Sequence, residues 1–384
     1  LKPSGNTGQT RPVAKGRAPF EGQEMTTYQE EETAQGQAGG TDAAAERLMG
    51  ILNDGSAAVL ISLGHQTGLF DTLAALPPAT SLQIADAAGL NERYVREWLG
   101  GMVTTGIVQY HPAAASYALD RAYVQSMTGT GVDNLARTLT FVTLMGEVAG
   151  KVAAKFRTGG GLQYEEYPGF VQIQAADSAS VHDFSLVDVI LPLSGRVEGL
   201  RTGIRVADIG CGAGHAVNLM AQAFPASTFV GFDFLAEAVA TGRAEAERLG
   251  LRNVRFEQRD VAALDLRGEF DLVTVFDAVH DQAHPATVLR NIRQALKPGG
   301  TFLMVDIKAS SNLEDNVGLP WAAFLYAIST THCMSVSLAQ DGDGLGTVWG
   351  VQLAEAMLHD AGFREVRILD LPEDRFNAYF VASL

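Results

Sequence analysis

The chain has 384 residues, 47% hydrophobic and 19% charged, and a formal net charge of -16. That length admits two domains of about 100–200 residues each, while the acidic balance argues against nucleic acid and anionic membrane surfaces as partners, since both select Lys and Arg. The cysteines are Cys211 and Cys333, so there is neither a disulfide framework nor a CxxC metal or redox pair.

Residues 1–40 are rich in Gly, Gln, Glu, Thr and Pro without apolar periodicity and are expected to be a disordered tail. With no leader-like apolar stretch and no run of about 18 apolar residues, the chain is expected to be cytoplasmic and not to span a membrane. Thr41-Asp42 is placed to cap a first helix, with Leu48, Met49, Ile51 and Leu52 at helical spacing, and an apolar run follows at 56–63. Ser81 is expected to cap a helix through Ala88, and a turn at Gly89-Leu90-Asn91 leads into a second helix ending near Thr105. Residues 106–110 and 115–119 then alternate as a two-stranded wing, so 41–130 reads as a winged-helix domain.

Residues 131–202 read as a helical linker contributing to a substrate pocket, broken at Gly159-Gly160-Gly161. From 203 the texture changes to apolar strands at 204–209, 228–233, 253–258, 270–276 and 300–306, separated by helical stretches. That alternation predicts an α/β domain over 203–384, with a mainly parallel sheet and helices on both faces. A helix at about 351–361 and strands 366–369 and 378–381 close the chain, after a long insertion at 308–350.

The strongest motif is the run from Val206 to His215, where an apolar strand enters Gly210, Gly212 and Gly214 at alternate positions. Glycine suits a tight turn that a ligand must approach without meeting a Cβ. Asp233 ends the next strand about 20 residues on, where a carboxylate can accept from both ribose hydroxyls. The Gly-x-Gly-x-Gly spacing differs from the dinucleotide Gly-x-Gly-x-x-Gly and favours S-adenosylmethionine over NAD.

On these residues, 203–384 resembles the class I S-adenosylmethionine-dependent methyltransferases. The resemblance implies that Asp208 lies near the amino-acid part of the cofactor, Asp233 on the ribose and Asp260 on the adenine amino group. Leu235 and Val261 would pack on the adenine, and Phe234 and Phe276 complete the implied cofactor set. Lys297-Pro298-Gly299-Gly300 is also typical of these enzymes, as a structural turn. Cys211 is expected to fill core space, and His215 to sit at a helix N-terminus on the surface.

Strand 270–276 is followed by Asp277-Ala278-Val279-His280-Asp281-Gln282, and ligands of open α/β sheets sit beyond the carboxyl ends of strands. His280-Asp281 resembles the pair in plant-type small-molecule O-methyltransferases, which implies that His280 is a general base and that both residues are catalytic; Gln282 stands where those enzymes carry an aromatic. An imidazole near pKa ~6.5 can take the proton that an attacking hydroxyl or thiol loses. His280 and His284, four apart, would form a metal pair on a helix, with His332, Cys333 or Asp277 as third ligand, but two histidines are weak evidence and no metal is assigned. The aromatic-rich insertion is expected to wall and cover the pocket, and it resembles that of bacterial winged-helix methyltransferases. The expected function is methyl transfer to O, S or N of a small-molecule acceptor by a homodimer joined through its N-terminal region. The alternative is a DNA-binding regulator that senses the cofactor. Against it, the arginines of the would-be recognition helix, Arg93 and Arg96, are offset by Glu92 and Glu97.

Overall fold

The computed structural model describes the backbone of residues 26–384 except 373, and side chains from 41 with the same exception. The chain divides into two compact units at Gly55/Ser56. The tail expected at the N-terminus lies, up to residue 25, outside the described residues. One helix runs Thr26–Gln66, so Thr41-Asp42 lies inside it rather than capping it. Glu, Gln and Ala favour the helix, and the glycines within it, Gly55 among them, are each carried at a local cost of about 1 kcal/mol. Along this helix Leu48, Met49 and Ile51 are exposed in the first unit, and Val59 and Leu63 in the second.

The second unit opens with the winged helix: helices Leu69–Ala75, Ser81–Ala88 and Glu92–Thr104, then strands β1 (Val108–His111) and β2 (Ser116–Leu119), paired antiparallel. The cap falls one residue before Ser81, where Thr80 and Gln83 form a reciprocal capping box. Asn91 caps the following helix through Arg93 N–H. That helix buries Val95, Trp98, Leu99 and Met102, and the Trp98 indole meets Phe70 edge-on at 5.3 Å between centroids. On its outer face Arg93 pairs with Glu97 and Arg96 with Glu92.

Helices Thr140–Thr158 and Phe170–Ser185 follow, the first ending at the expected glycine run. The second passes into a π-helical turn, Leu186–Ile190. The sheet then forms from β3 (Arg205–Ile209), β4 (Thr228–Asp233), β5 (Val254–Gln258), β6 (Phe270–Phe276), β7 (Leu296–Ile307), β8 (Glu365–Leu369) and β9 (Asn377–Ser383). Its order is β5-β4-β3-β6-β7-β9-β8, with β3 to β7 parallel and β9 antiparallel to both β7 and β8. Separate apolar clusters cover its two faces. One is built on Phe232, Val273, Met304 and Phe380, the other on Phe229, Leu272, Leu303 and Tyr379. Burial on both faces explains the near-continuous apolar strands. Strand order reverses between β3 and β6, which opens a crevice at their carboxyl ends.

The insertion is not a loop. It carries helices Leu313–Asn316, Ala322–Ile328 and Met334–Leu338, with a π-helical turn Ser329–Cys333 joining the last two. Ile328 and Val336 give it a core of its own with Phe141, Leu144 and Val148 of the long preceding helix. Among the described residues no helix is long and apolar enough to cross a membrane.

Candidate active site

The turn after β3 holds Gly210, Gly212 and Gly214 at φ of 67°, 51° and 75°, the left-handed region. A Cβ on Gly214 would sit 2.4 Å from the Phe256 ring, whereas one on Gly212 would meet no protein atom within 4 Å. The middle glycine thus faces open space, as a turn built for close ligand approach requires. Asp233 locks the turn: its Oδ2 accepts from Gly212 N–H and its Oδ1 from Leu235 N–H, both at 2.9 Å. Asp208 is buried and accepts from Thr274 Oγ1 at 2.6 Å, and burial pushes its pKa up to about 7.

Asp260 is exposed at the start of a 3-10 turn and accepts from Ala262 N–H. Val261 beside it is buried, and Phe234 is 37% exposed. Phe276 is half-buried and meets the edge of His182. His215 bridges two helices, with Nε2 2.8 Å from Asp183 and Nδ1 2.9 Å from Glu245. Cys211 is half-buried against the cluster that contains Phe256.

These groups open onto one cavity of about 1200 Å³, and all ten of the sequence-derived cofactor residues line it. A single small ligand fills about 300–1,000 Å³, so this space accommodates two molecules side by side. Asp281 and His280 line it too, together with helix Phe170–Ser185 and the insertion.

His280 is 4% exposed, and its Nδ1 lies 2.8 Å from Asp306 Oδ1. The same oxygen accepts from Trp349 Nε1 at 3.1 Å and Ile307 N–H at 2.8 Å. An acceptor so placed fixes the tautomer with the proton on Nδ1 and leaves Nε2 as the basic nitrogen. Burial opposes charge on this imidazole, but the Asp306 carboxylate, joined by Cys333, outweighs it and raises the pKa well above the usual histidine range. Asp281 plays another part: it accepts from Tyr164 Oη at 2.6 Å, and burial lifts its pKa to about 6.

The segment carrying the histidine is clamped by the insertion. Gly346 N–H donates to His280 C=O, Asp343 N–H to Ala283 C=O, and Ser337 Oγ to Gln282 C=O. His332 stacks on Phe170 with centroids 3.7 Å apart, between Tyr164 and Tyr167, and neither ring nitrogen has a partner. The helical pairing that would make His280 and His284 a metal site is absent: the following helix starts only at Pro285, with His284 as its N-cap. Among the described residues no group of three or more His, Cys, Asp or Glu side chains assembles as a metal site.

Sequence reasoning missed Asp306 and Tyr164. A signal existed for the first, since Asp306 is the lone charge in the apolar run Phe302-Leu303-Met304-Val305-Asp306-Ile307, and a buried charge requires a partner.

The parallel sheet with its glycine turn and the carboxylate on the neighbouring strand define a Rossmann-like methyltransferase fold. Residues 200–341 match the model of a methyltransferase domain and residues 55–129 that of an Rv2258c-like winged HTH domain; the chain is a winged helix-turn-helix domain joined to a methyltransferase domain. Over 127 residues it is 34% identical to the arsenite methyltransferase of Aquipseudomonas alcaligenes, covering 31% of this chain and 37% of that protein. The demethylmenaquinone methyltransferase of Lactococcus lactis is 29% identical over 107 residues, 27% of this chain and 42% of that one. The chain thus spans less than half the length of these curated relatives. Human N-acetylserotonin methyltransferase, solved in complex with SAM, superposes with a TM-score of 0.65 at 18% identity, over 88% of this chain and 97% of that one. At that identity the likeness shows the fold.

Proposed function

We propose that the protein transfers a methyl group from S-adenosylmethionine to O, S or N of a small-molecule acceptor, with His280 as general base. The observation that carries this reading is the buried His280–Asp306–Trp349 chain opening onto the cavity that also holds the glycine turn and Asp233. The residues present fit the cofactor. Gly212 leaves space where a Cβ would intrude, Asp233 and Asp260 offer carboxylates for ribose and adenine, Asp208 would lie near the amino-acid part, and Phe276 lines the same cavity. When bound, S-adenosylmethionine supplies an electrophilic methyl on a sulfonium. His280 Nε2 takes the acceptor's proton, Asp306 stabilises the imidazolium that results, and the apolar insertion excludes water from it. Asp281 is a positioning residue, holding Tyr164 across the cavity.

The test is S-adenosylhomocysteine release over a panel of phenols, hydroxy acids, thiols, thioethers and amines, with and without chelator. Turnover on one class is expected and identifies the acceptor atom. Tight S-adenosylmethionine binding without turnover on any class would return the protein to the sensor reading. The self-neutralised arginines of the winged helix speak against that reading.

The active form we infer is a homodimer in the cytoplasm. Leu48, Met49 and Ile51 present exposed apolar side chains in the first unit, a surface that a second copy can cover. Light scattering on the eluting protein should give twice the chain mass, and Leu48→Lys with Met49→Lys should halve it. A wild-type monomer would remove this part of the reading.

A further inference from the structure

We propose that the acceptor is an amphipathic amine, its apolar body in the aromatic part of the cavity and its protonated nitrogen against Asp277 and Asn377. The inference rests on the methyl-transfer reading and names the substrate class for that site.

Asp277 follows β6 in a left-handed conformation, φ 50°, that side chains rarely adopt, held by its N–H bond to Val305 C=O at 2.9 Å. Its Oδ1 is buried without a hydrogen-bond partner, and among the described residues no Lys or Arg pairs with it. Asn377 lies on the other side of β7, opposite Ile307, and is 8% exposed. Its Nδ2 is spent on Asp374 Oδ2 at 3.1 Å, while its Oδ1 has no partner. Tyr379 also spends its hydroxyl proton on Asp374. Both residues line the cavity. The valences left open on Asn377 and on an ionised Asp277 are acceptors, so a molecule bound against this pair must bring donors.

Charge narrows the choice. Burial and the neighbouring Asp306, Asp374 and Asp177 all oppose ionisation of Asp277, with only His280 favouring it. Of the nearby cations, Arg137 is committed to Asp177 and Ser180, and Arg375 is exposed. A carboxylate-bearing acceptor would be repelled here, and a hydroxyl would bring one donor and no charge. An ammonium brings three donors and the missing positive charge. The rest of the acceptor meets Phe141, Phe324, Ile328 and Phe170.

The test is calorimetric titration of the protein saturated with S-adenosylhomocysteine, using matched pairs: tyramine against 4-ethylphenol, and tryptamine against 3-ethylindole. The amine of each pair should bind at least tenfold tighter. Asp277→Asn should erase that advantage while leaving the neutral partners and S-adenosylhomocysteine within twofold of wild type. Equal affinity within the pairs, or no binding of either amine, overturns the proposal. A parallel loss of S-adenosylhomocysteine affinity in Asp277→Asn also overturns it, because the carboxylate would then hold the cofactor's own ammonium. Should that variant not fold, the wild-type pairs decide alone. Amine preference is read without turnover, so the methyl-transfer reading fails separately, through absent S-adenosylhomocysteine binding or a silent acceptor panel.

Discussion

Replacing His280 by alanine should lower kcat on a hydroxyl or thiol acceptor by a factor of about 10²–10⁴, the usual worth of a positioned base, while S-adenosylhomocysteine affinity stays near wild type. The split between kcat and cofactor binding matters because the imidazole is buried beside the cavity but bonds to Asp306 and not to the glycine turn. The pH profile gives a second reading. His280 must be neutral to accept a proton, and Asp306 holds its pKa above the ordinary value. The acid limb of kcat/KM should therefore lie above pH ~6.5, the value of a free imidazole, with activity rising as pH increases through it. Asp306→Asn removes the charge that favours imidazolium, so the limb should move to lower pH and kcat should fall. An acid limb that Asp306→Asn leaves in place would mean that another group titrates. A thioether acceptor loses no proton and should be methylated by His280→Ala at close to the wild-type rate.

The second large effect is expected at Asp233. Asp233→Ala should weaken S-adenosylmethionine binding by roughly ten- to 150-fold, the loss of about 1.5–3 kcal/mol in hydrogen bonds to a charged acceptor. The structure adds a cost that the motif did not foretell. With the carboxylate gone, the N–H groups of Gly212 and Leu235 both lose their acceptor, so the turn itself loosens. A lower melting temperature without ligand should accompany the weaker binding. Asp233→Asn keeps one acceptor oxygen and should recover part of the thermal loss but less of the affinity. Titration calorimetry and thermal melts on the same preparations separate the two effects, and unchanged affinity in Asp233→Ala would place the cofactor elsewhere.

The parts of this architecture legible in the sequence were those written in local pattern. Apolar runs of strand length, three glycines at alternate positions and the carboxylate ending the next strand all follow from backbone geometry. Each has the structural setting that the pattern implied. The wing was legible for the same reason. What escaped depended on distance along the chain. Asp306 reaches His280 across 26 residues, and Tyr164 reaches Asp281 across 117, so neither pairing leaves a periodic trace. The helices of the insertion leave little trace in the sequence because they are short and two of them are joined by a π-helical turn, which defeats a search for 3.6-residue spacing. The first helix was begun too late because glycines and polar residues within it imitate a tail.

The clamp between the insertion and the segment after β6 has a consequence for how this protein can change. Three of that segment's carbonyls hang on donors from residues 337–346. The wall that would select an acceptor and the shelf that carries its base are therefore one heritable unit. Exchanging the insertion for that of a cousin with different chemistry would take away the shelf's supports along with the old wall. New specificities should therefore arise by single side-chain replacements on the wall, such as at Phe324 or Ile328, rather than by wholesale transplantation.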